Sequence, residues 1–199
     1  QRVSGKWKTS LTVIGLVTLV AAVHYFYMRD VWVATGETPV VYRYIDWLIT
    51  VPLQMIEFYL ILAAVGAASA GIFWRLLIGS LVMLLGGYAG EVGALAVWPA
   101  FIIGMAGWLL IIYEVFFGEA GKLNAGSGNA AAQSAFNTIR WIVTVGWAIY
   151  PVGYMLGMGD APDMANSNLI YNLADFINKI LFGLIIWNAA AKDLSLIHI

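Results

Sequence analysis

The stretch Tyr171–Trp187, YNLADFINKILFGLIIW, decides the fold, because it is an apolar run that contains an aspartate and a lysine. Asp175 and Lys179 are four residues apart, so both lie on the same face if the run is helical. An ionisable group in a membrane span costs about 2.5–3.5 kcal/mol on insertion scales, so such residues are rare and usually functional. The alternative at this point is a buried ion pair that only fixes helix packing.

The lysine of this run has a chemical use beyond packing. A lysine amine that is removed from water can act as a nucleophile and form a Schiff base with an aldehyde. Such a lysine needs buried counter-charges and a binding site, and the rest of the chain must supply them.

The composition is that of a polytopic membrane protein. The chain has 199 residues, of which 62% are hydrophobic and 11% are charged, and its mean hydropathy is +0.84. Soluble domains are about 45–50% apolar and about 25% charged. The chain has no cysteine and only two histidines, His24 and His198, so no metal site is expected. A net charge of -1 argues against a nucleic-acid partner. Nothing in the sequence predicts an enzyme.

Six stretches are long and apolar enough to cross a bilayer, which takes about 20 residues each. The sequence therefore predicts an all-α membrane protein that forms a single helical bundle over residues 1–199. The predicted spans run approximately over Trp7–Met28, Val41–Val65, Ile72–Val92, Ala100–Phe117, Ala131–Leu156 and Leu169–Ala191. The predicted connections are Val33–Pro39, a short link that holds Trp98 and Pro99, the polar Gly118–Asn129, and Gly157–Asn168.

The distribution of basic residues predicts the orientation of the bundle. With six spans, both chain termini lie on one side of the membrane. That side holds or borders Arg2, Lys6, Lys8, Arg75, Lys122, Arg140 and Lys192, whereas the other side has only Arg29 and Arg43. Because cytoplasmic loops carry the excess of Lys and Arg, both termini are predicted to lie in the cytoplasm.

The second span, RYIDWLITVPLQMIEFYLIL (Arg43–Leu62), contains two acids. Asp46 and Glu57 are eleven residues apart, which is close to three helical turns, so both face the same way about 16 Å apart. With Lys179 near mid-membrane, Asp46 and Asp175 lie on its outer side and Glu57 on its inner side. This arrangement predicts one proton acceptor, one acid that stays ionised, and a donor, Glu57, that stays protonated at rest. Without the lysine, two acids on one face would favour a cation-coupled transporter.

Three stretches resemble the proteorhodopsins of the microbial rhodopsin family: Arg43–Leu62, WAIYPVGY (Trp147–Tyr154) and NLADFINKILFGLIIWN (Asn172–Asn188). The resemblance implies a seven-helix bundle in the bacterial inner (plasma) membrane that binds all-trans retinal and pumps protons outward under light. It implies these roles: Lys179 as the retinal Schiff-base lysine, Asp46 as proton acceptor and counterion, Asp175 as second counterion, Thr50 as support of the acceptor, and Glu57 as cytoplasmic donor.

The resemblance also assigns the surroundings of the retinal. Arg43 would shape the release path, although an arginine at that depth can also be an interfacial residue whose head group reaches water. Pro151 would kink the fifth span and let it move. The aromatic residues expected to clamp the polyene are Trp47, Phe101, Trp147, Tyr150 and Tyr171, for each of which plain packing is the alternative.

Two further residues bear on colour and on proton affinity. Family members with glutamine at the position of Gln54 absorb blue light and those with leucine absorb green, so the sequence predicts a blue-absorbing variant. The alternative is a glutamine that only bonds a neighbouring helix. His24 matches a histidine that interacts with the acceptor and sets its pKa; an interfacial packing histidine is the alternative. Glu91 is a weaker candidate for the release region.

Six spans, rather than the family's seven, lead to a prediction about the chain itself. The opening QRVSGKWK matches the link between the family's first two helices, so the family's first helix is predicted to be missing, and the spans are its second to seventh. The terminal LSLIHI is apolar, unlike the polar tails of the family, and is interpreted as a cloning artefact. The family also implies a homo-oligomer, a pentamer or hexamer, embedded in lipid.

Two other functions compete with the pump. A photosensor of the same fold would signal through a partner, although the carboxylate of Glu57 speaks against it. A retinal-free ion-coupled transporter would use the same acids without any chromophore.

Overall fold

The computed structural model of the protein describes residues 5–158 and 162–197, with side chains described as far as residue 194. Arg2, His198 and Ile199, for which predictions were made, lie outside the described residues, as do the side chains of residues 195–197 in the terminal LSLIHI. The helices are α1 (Lys8–Thr35), α2 (Val40–Ala64), α3 (Ala70–Glu91), α4 (Val97–Phe116), α5 (Glu119–Gly126), α6 (Ala130–Trp141), α7 (Ile149–Met158) and α8 (Met164–Ile197). A single 3₁₀ turn, Gly5–Trp7, precedes α1.

Six membrane-length spans are present in the described part of the chain, as predicted; α6 and α7 together form the fifth. Their bounds differ from the prediction in several places. Helix α8 begins at Met164, inside the predicted connection Gly157–Asn168, because the carboxylate of Asp163 accepts from the backbone N–H of Asn166 and caps the helix. Helix α1 continues past Arg29 and Asp30 to Thr35, because charged side chains do not end a helix and Gly36, with φ of 69°, does. Trp98 and Pro99 lie in the first turn of α4 rather than in a link. Proline is tolerated there because the backbone N–H groups of a first turn have no partner within the helix, so the missing N–H costs nothing. The polar connection Gly118–Asn129 contains the short helix α5.

The spans form a ring. Helix α1 packs on α2, α2 on α3 and α3 on α4, while α6 and α7 pack on α8, which returns to α1. Of the six spans, α2 has the largest buried share, because it faces the inside of the ring. Gly5–Trp7, α5 and the end of α8 lie at one end of the bundle, called here the Trp7 end. The turns after α1 and α3 lie at the other, called here the Glu91 end.

The packing of α3 against α4 depends on glycine. A Cβ placed on Gly107 would lie 2.5 Å from the backbone nitrogen of Met83 and 2.7 Å from the carbonyl oxygen of Gly79. Small residues let two helix backbones approach in this way inside a membrane, where packing rather than hydrophobicity drives association. The glycines of this seam therefore set the wall of the bundle on the α3–α4 side.

The fifth span is interrupted one turn before Pro151. Its α-helix ends at Trp141, a π-helical turn follows over Ile142–Gly146, and α7 begins at Ile149. The ring of a proline clashes with the carbonyl four residues earlier, here Trp147, so the interruption falls upstream of the proline itself. The amide of Asn178 in α8 donates to the carbonyl of Gly146 at 3.1 Å and so satisfies a backbone group that the π turn leaves exposed.

Candidate functional site

The centre of the bundle holds the amine of Lys179 between two carboxylates. Its Nζ lies 2.6 Å from Oδ2 of Asp46 and 3.0 Å from Oδ2 of Asp175. All three side chains are almost completely buried. A cation in such a place is tolerated only because anions and hydrogen bonds compensate its lost hydration. Asp46 of α2 and Asp175 and Lys179 of α8 therefore lie together in the centre of the bundle, as the sequence predicts.

Asp175 differs from Asp46 in the number of donors it receives. Besides Lys179, the hydroxyls of Tyr25 (2.6 Å) and Tyr150 (2.5 Å) and the indole Nε1 of Trp47 (3.0 Å) donate to it. Asp46 accepts from Lys179 alone, and its Oδ1 has no partner among the described residues. Hydrogen bonds to a carboxylate favour its ionised form. Asp175 is therefore the more strongly hydrogen-bonded of the two carboxylates.

Arg43 lies one turn from Asp46 toward the Glu91 end, and it is buried. Its side chain is 1% exposed, its guanidinium carbon lies 4.7 Å from the ring centroid of Tyr171, and its Nη2 donates to Asn168 of α8. The side chain is therefore enclosed by its neighbours in the bundle. A guanidinium stacked on an aromatic ring is stabilised by the ring's electrons, which offsets part of the cost of burying it.

Glu57 lies on α2 three turns from Asp46, toward the Trp7 end. It is fully buried and accepts a hydrogen bond from the hydroxyl of Ser10 in α1, while its Oε1 has no partner among the described residues. Thr50 lies between the two acids, is fully buried, and its hydroxyl likewise has no partner in the described part of the chain. The predicted order of the polar groups along α2 is present.

His24 and Glu91, the two remaining candidates near the Glu91 end, have different surroundings. The Nδ1 of His24 lies 2.9 Å from the carbonyl oxygen of Val20 in its own helix, and within the described residues no hydrogen bond joins it to Asp46. The predicted partnership of His24 with the acceptor therefore stays a prediction. Glu91 accepts from the hydroxyl of Tyr44 at 3.0 Å and lies within electrostatic range of Arg43.

An aromatic cavity lies beside the buried amine. It encloses about 740 Å³ of empty space, including the part at its open side. Two of its wall residues, Trp47 and Tyr150, also bond Asp175, so the cavity is one hydrogen bond away from the carboxylate that holds Lys179. The wall contains all the predicted aromatic residues, together with Gln54 and Pro151: Tyr44, Trp47, Val51, Gln54, Met83, Leu84, Gly87, Ala100, Phe101, Gly104, Met105, Trp108, Trp147, Tyr150, Pro151, Tyr154 and Tyr171.

The lining of the cavity suits an apolar molecule with a conjugated chain. Seven of its 17 lining residues carry indole or phenol rings, and aromatic faces pack well against a conjugated chain. Gln54 is the polar exception, since it is buried and its Nε2 has no partner among the described residues. The amine of Lys179 and its two carboxylates lie next to the part of the wall that Trp47 and Tyr150 form. An aldehyde in the cavity would therefore meet the amine at one end only.

Sequence reasoning missed several residues of this site. Each forms a hydrogen bond with a residue of the site. The pairs are Tyr25 with Asp175, Ser10 with Glu57, Asn168 with Arg43, and Tyr44 with Glu91. Each carries a hydroxyl or an amide and lies in a predicted span or near its end. That position is the only feature of the sequence that could have indicated a role in the site. Their partners belong to other helices, so only the packed structure identifies them.

The family of the chain follows from comparison with known proteins. The model of the family described as bacteriorhodopsin-like protein matches residues 1–193. The chain belongs to this family. Membership implies a retinal chromophore, and the resemblance to the proteorhodopsins is confirmed by the relatives described next.

Two curated bacteriorhodopsin-like relatives are similar over nearly the whole chain. One is the green-light absorbing proteorhodopsin of Gamma-proteobacterium EBAC31A08, 61% identical, with 98% of this chain and 78% of the relative covered. The other is the blue-light absorbing proteorhodopsin of Gamma-proteobacterium Hot 75m4, 60% identical with the same coverage. Because both colours occur at equal similarity, overall identity does not decide the colour.

A solved structure agrees with the fold. The crystal structure of a blue light-absorbing proteorhodopsin from Med12 superposes with a TM-score of 0.82 at 60% identity, covering 96% of this chain and 87% of that one. The bundle therefore has the microbial rhodopsin fold. The prediction that the family's first helix is missing is not supported by these alignments, which cover nearly all of this chain, and the structure has six membrane-length helices in its described residues.

Proposed function

We propose that the protein is a light-driven outward proton pump that binds all-trans retinal through Lys179. The observation that carries the proposal is the asymmetry of the acids around the buried amine: Asp46 and Asp175 contact it directly, and Glu57 lies on the same helix toward the Trp7 end. An amine that changes its proton affinity in this place would give its proton to one side and take a new one from the other. The proteorhodopsin relatives support the same function.

Lys179 would hold retinal as a Schiff base, and the bound chromophore would supply light absorption and a light-driven change in the proton affinity of the lysine nitrogen. Every other part of the mechanism belongs to the protein. The aromatic wall of the cavity would hold the polyene, and Trp47 and Tyr150 would join that wall to the counterion Asp175.

Asp46 is the proposed proton acceptor. It is bonded to Lys179 at 2.6 Å and has no other donor among the described residues, so protonation costs it only that interaction. Asp175 is the proposed second counterion, because four donors stabilise its charge before and after the transfer. Thr50 and His24 are proposed to tune the acceptor, the first through its hydroxyl and the second by setting its pKa.

The release path is proposed to run from Asp46 past Arg43 toward Glu91. Arg43 is buried between the acceptor and the Glu91 end, and Glu91 with its partner Tyr44 forms the next acidic group in that direction. When Asp46 becomes neutral, a guanidinium nearby loses one of its favourable charges. Movement of that cation toward Glu91 would favour release of a proton at that end.

Glu57 is the proposed donor that returns a proton to Lys179. Its carboxyl group is fully buried, and among the described residues its hydrogen bonds come from neutral groups, the hydroxyl of Ser10 and the backbone of Ile14, so no cation stabilises its charged form. A carboxylic acid in such surroundings holds its proton until the lysine nitrogen needs one. Afterwards it is reloaded from the Trp7 end.

The proposed setting is a bacterial inner (plasma) membrane with the Trp7 end, and therefore the C-terminus, in the cytoplasm. The bias of Lys and Arg toward that end supports this orientation. The family suggests a homo-oligomer of five or six copies. Gln54 supports a blue-absorbing pigment: its amide lines the retinal cavity, where a polar group that favours the ground-state charge distribution raises the excitation energy.

Reconstitution with all-trans retinal tests the proposal. The chain, expressed in cells and supplied with retinal, is expected to form a visible pigment and to acidify the medium under light. A protonophore should abolish the acidification, and Lys179→Ala should abolish the colour. No visible absorption would favour a retinal-free transporter. A pigment that cycles slowly, moves no protons and is unchanged by Glu57→Gln would favour a photosensor.

A further inference from the structure

Asp193, near the end of α8, joins three parts of the chain at the Trp7 end. Its Oδ2 accepts from the indole Nε1 of Trp7 at 2.7 Å and lies 2.8 Å from Nζ of Lys6. Its Oδ1 accepts from Nδ2 of Asn129 at 2.6 Å. Asp193 is 4% exposed and Trp7 is fully buried. The carboxylate therefore ties the starts of α1 and α6 to α8.

Asn129 has two roles in this junction. Its Oδ1 caps α6 by accepting from the backbone N–H of Ala132 at 2.9 Å, while its Nδ2 bonds Asp193. One side chain thus defines the first turn of α6 and holds that turn against α8. An outward displacement of the start of α6 has to break the bond between Asn129 and Asp193.

The junction lies directly beyond the proposed donor. Trp7 is one turn before Ser10, whose hydroxyl bonds Glu57. Between the junction and the site, Phe58 of α2 packs edge-to-face against Phe136 of α6 and Phe182 of α8, and all three rings are fully buried. Because Glu57 is enclosed, a proton from the Trp7 end reaches it only when these helices separate.

We infer that Asp193, with Trp7 and Asn129, forms a latch that keeps the reloading path to Glu57 closed until α6 moves. The inference rests on the proposed function and adds positioning residues to it. These residues do not touch the retinal site; they act on Glu57 through the placement of α1 and α6. The bond to half-exposed Lys6 contributes little, because ion pairs that reach solvent are weak.

The latch is suited to opening and closing repeatedly. Its bonds run from neutral donors to one carboxylate, so each is stronger than a neutral pair yet small compared with the packing of whole helices. Removal of one bond is expected to lower the cost of separating α6 from α8 and to speed reloading of Glu57 by about threefold to tenfold.

Three variants weaken the latch in different ways. Trp7→Phe keeps an aromatic ring but lacks the N–H donor. Asn129→Ser keeps a cap for α6, since serine is a good N-cap, but lacks the amide donor. Asp193→Asn removes the charge. Glu119→Gln is the matched control, because Glu119 is another carboxylate at the same end that pairs with Arg75 and contacts no latch residue.

The first measurement uses the retinal-free protein in lipid nanodiscs. Hydrogen–deuterium exchange is expected to increase three- to tenfold in the first turns of α1 and α6 in each latch variant, with no change in α3 and α4. Glu119→Gln should leave α1 and α6 unchanged. Exchange that rises throughout the bundle would mean a loss of general stability and would overturn the latch, as would exchange equal to that of the unmodified protein.

The second measurement uses the pigment in the same nanodiscs. After a flash, recovery of the proton by Glu57, followed by its infrared carbonyl band, is expected to be faster in the latch variants, whereas colour and proton transfer to Asp46 stay the same. Unchanged recovery in Trp7→Phe and Asn129→Ser would overturn the inference. If the chain forms no pigment, the proposed function fails, and the exchange measurement alone decides whether the latch exists.

Discussion

The indole Nε1 of Trp47 donates to Oδ2 of Asp175 across 3.0 Å, and the same indole forms part of the cavity wall. A residue that would contact the polyene is therefore bonded to the counterion of the buried amine. Its ring also packs edge-to-face on several aromatic rings, Tyr150 and Tyr171 among them, so its position is set from more than one side. A change in the shape of the cavity is in this way passed to the electrostatics of Lys179.

Asp46→Asn is expected to abolish proton pumping and to shift the absorption maximum to longer wavelength. The first effect follows because the amide cannot accept the proton, and the second because a lost counter-charge destabilises the ground state of the cation. Light-induced pH changes and visible spectra of the reconstituted pigment measure the two effects. A variant that still pumps at a tenth or more of the unmodified rate would contradict the role of Asp46.

Asp175→Asn is expected to damage the pigment more than Asp46→Asn does. Four donors converge on Asp175, and an amide cannot accept from all of them, so Tyr25, Trp47 and Tyr150 would lose partners in a buried place. The yield of pigment per mole of protein and its thermal half-life measure this effect. Equal yield in the two variants would show that the additional hydrogen bonds to Asp175 do not contribute to the stability of the pigment.

Tyr25→Phe tests one of these donors separately. It removes a single hydroxyl from Asp175 and is expected to destabilise the folded pigment by about 1–3 kcal/mol, as is usual when a bond to a buried charged group is lost. The absorption maximum should shift as well. Tyr27→Phe is the control on the same helix, because Tyr27 is exposed and its ring only stacks on Tyr42.

Ser10→Ala is expected to slow the return of a proton from Glu57 to the Lys179 nitrogen by about fivefold. The hydroxyl that donates to Glu57 stabilises the carboxylate left after the transfer, a contribution of about 1 kcal/mol. Flash spectroscopy at the wavelength of the deprotonated pigment gives the rate. Thr12→Ala serves as the control, since the Thr12 hydroxyl bonds only a carbonyl of its own helix. An equal effect of both substitutions would argue against a role for Ser10.

Gln54→Leu is expected to shift the absorption maximum to longer wavelength without loss of pumping. Leucine removes the buried amide from the cavity wall and keeps the volume of the side chain. Gln54→Asn, which retains an amide, should shift the maximum less. Visible spectra at a fixed pH are sufficient, and an unchanged maximum in Gln54→Leu would mean that the glutamine only packs against its neighbours.

Gly107→Ala is expected to destabilise the bundle, because its Cβ would collide with the backbone of α3 at Met83 and Gly79. The expected cost is about 1–3 kcal/mol, as for other overpacked positions. Gly15→Ala, at a position of α1 where no atom lies within 4 Å of the new Cβ, should be neutral or slightly stabilising. Thermal unfolding in detergent, followed by circular dichroism, compares the two.

The sequence by itself was sufficient for the spans, the buried amine and the order of its acids. Hydropathy over about 20 residues reports a span directly, and helical spacing places Asp175 over Lys179 and Asp46 in line with Glu57. Such local periodicities survive any arrangement of the helices. The start of α4 at Val97 and the helix inside Gly118–Asn129 were missed, because short-range signals define helix ends poorly.

Only the tertiary structure decided which groups from different helices meet. The donors Tyr25 and Ser10, the stacking of Arg43 on Tyr171, and the junction at Asp193 each join residues far apart in the chain. No periodicity reports such contacts, since they depend on how the ring of helices closes and on each helix's rotation about its own axis. Their strength depends on burial in the same way, because a hydrogen bond or an ion pair gains its weight from the exclusion of water.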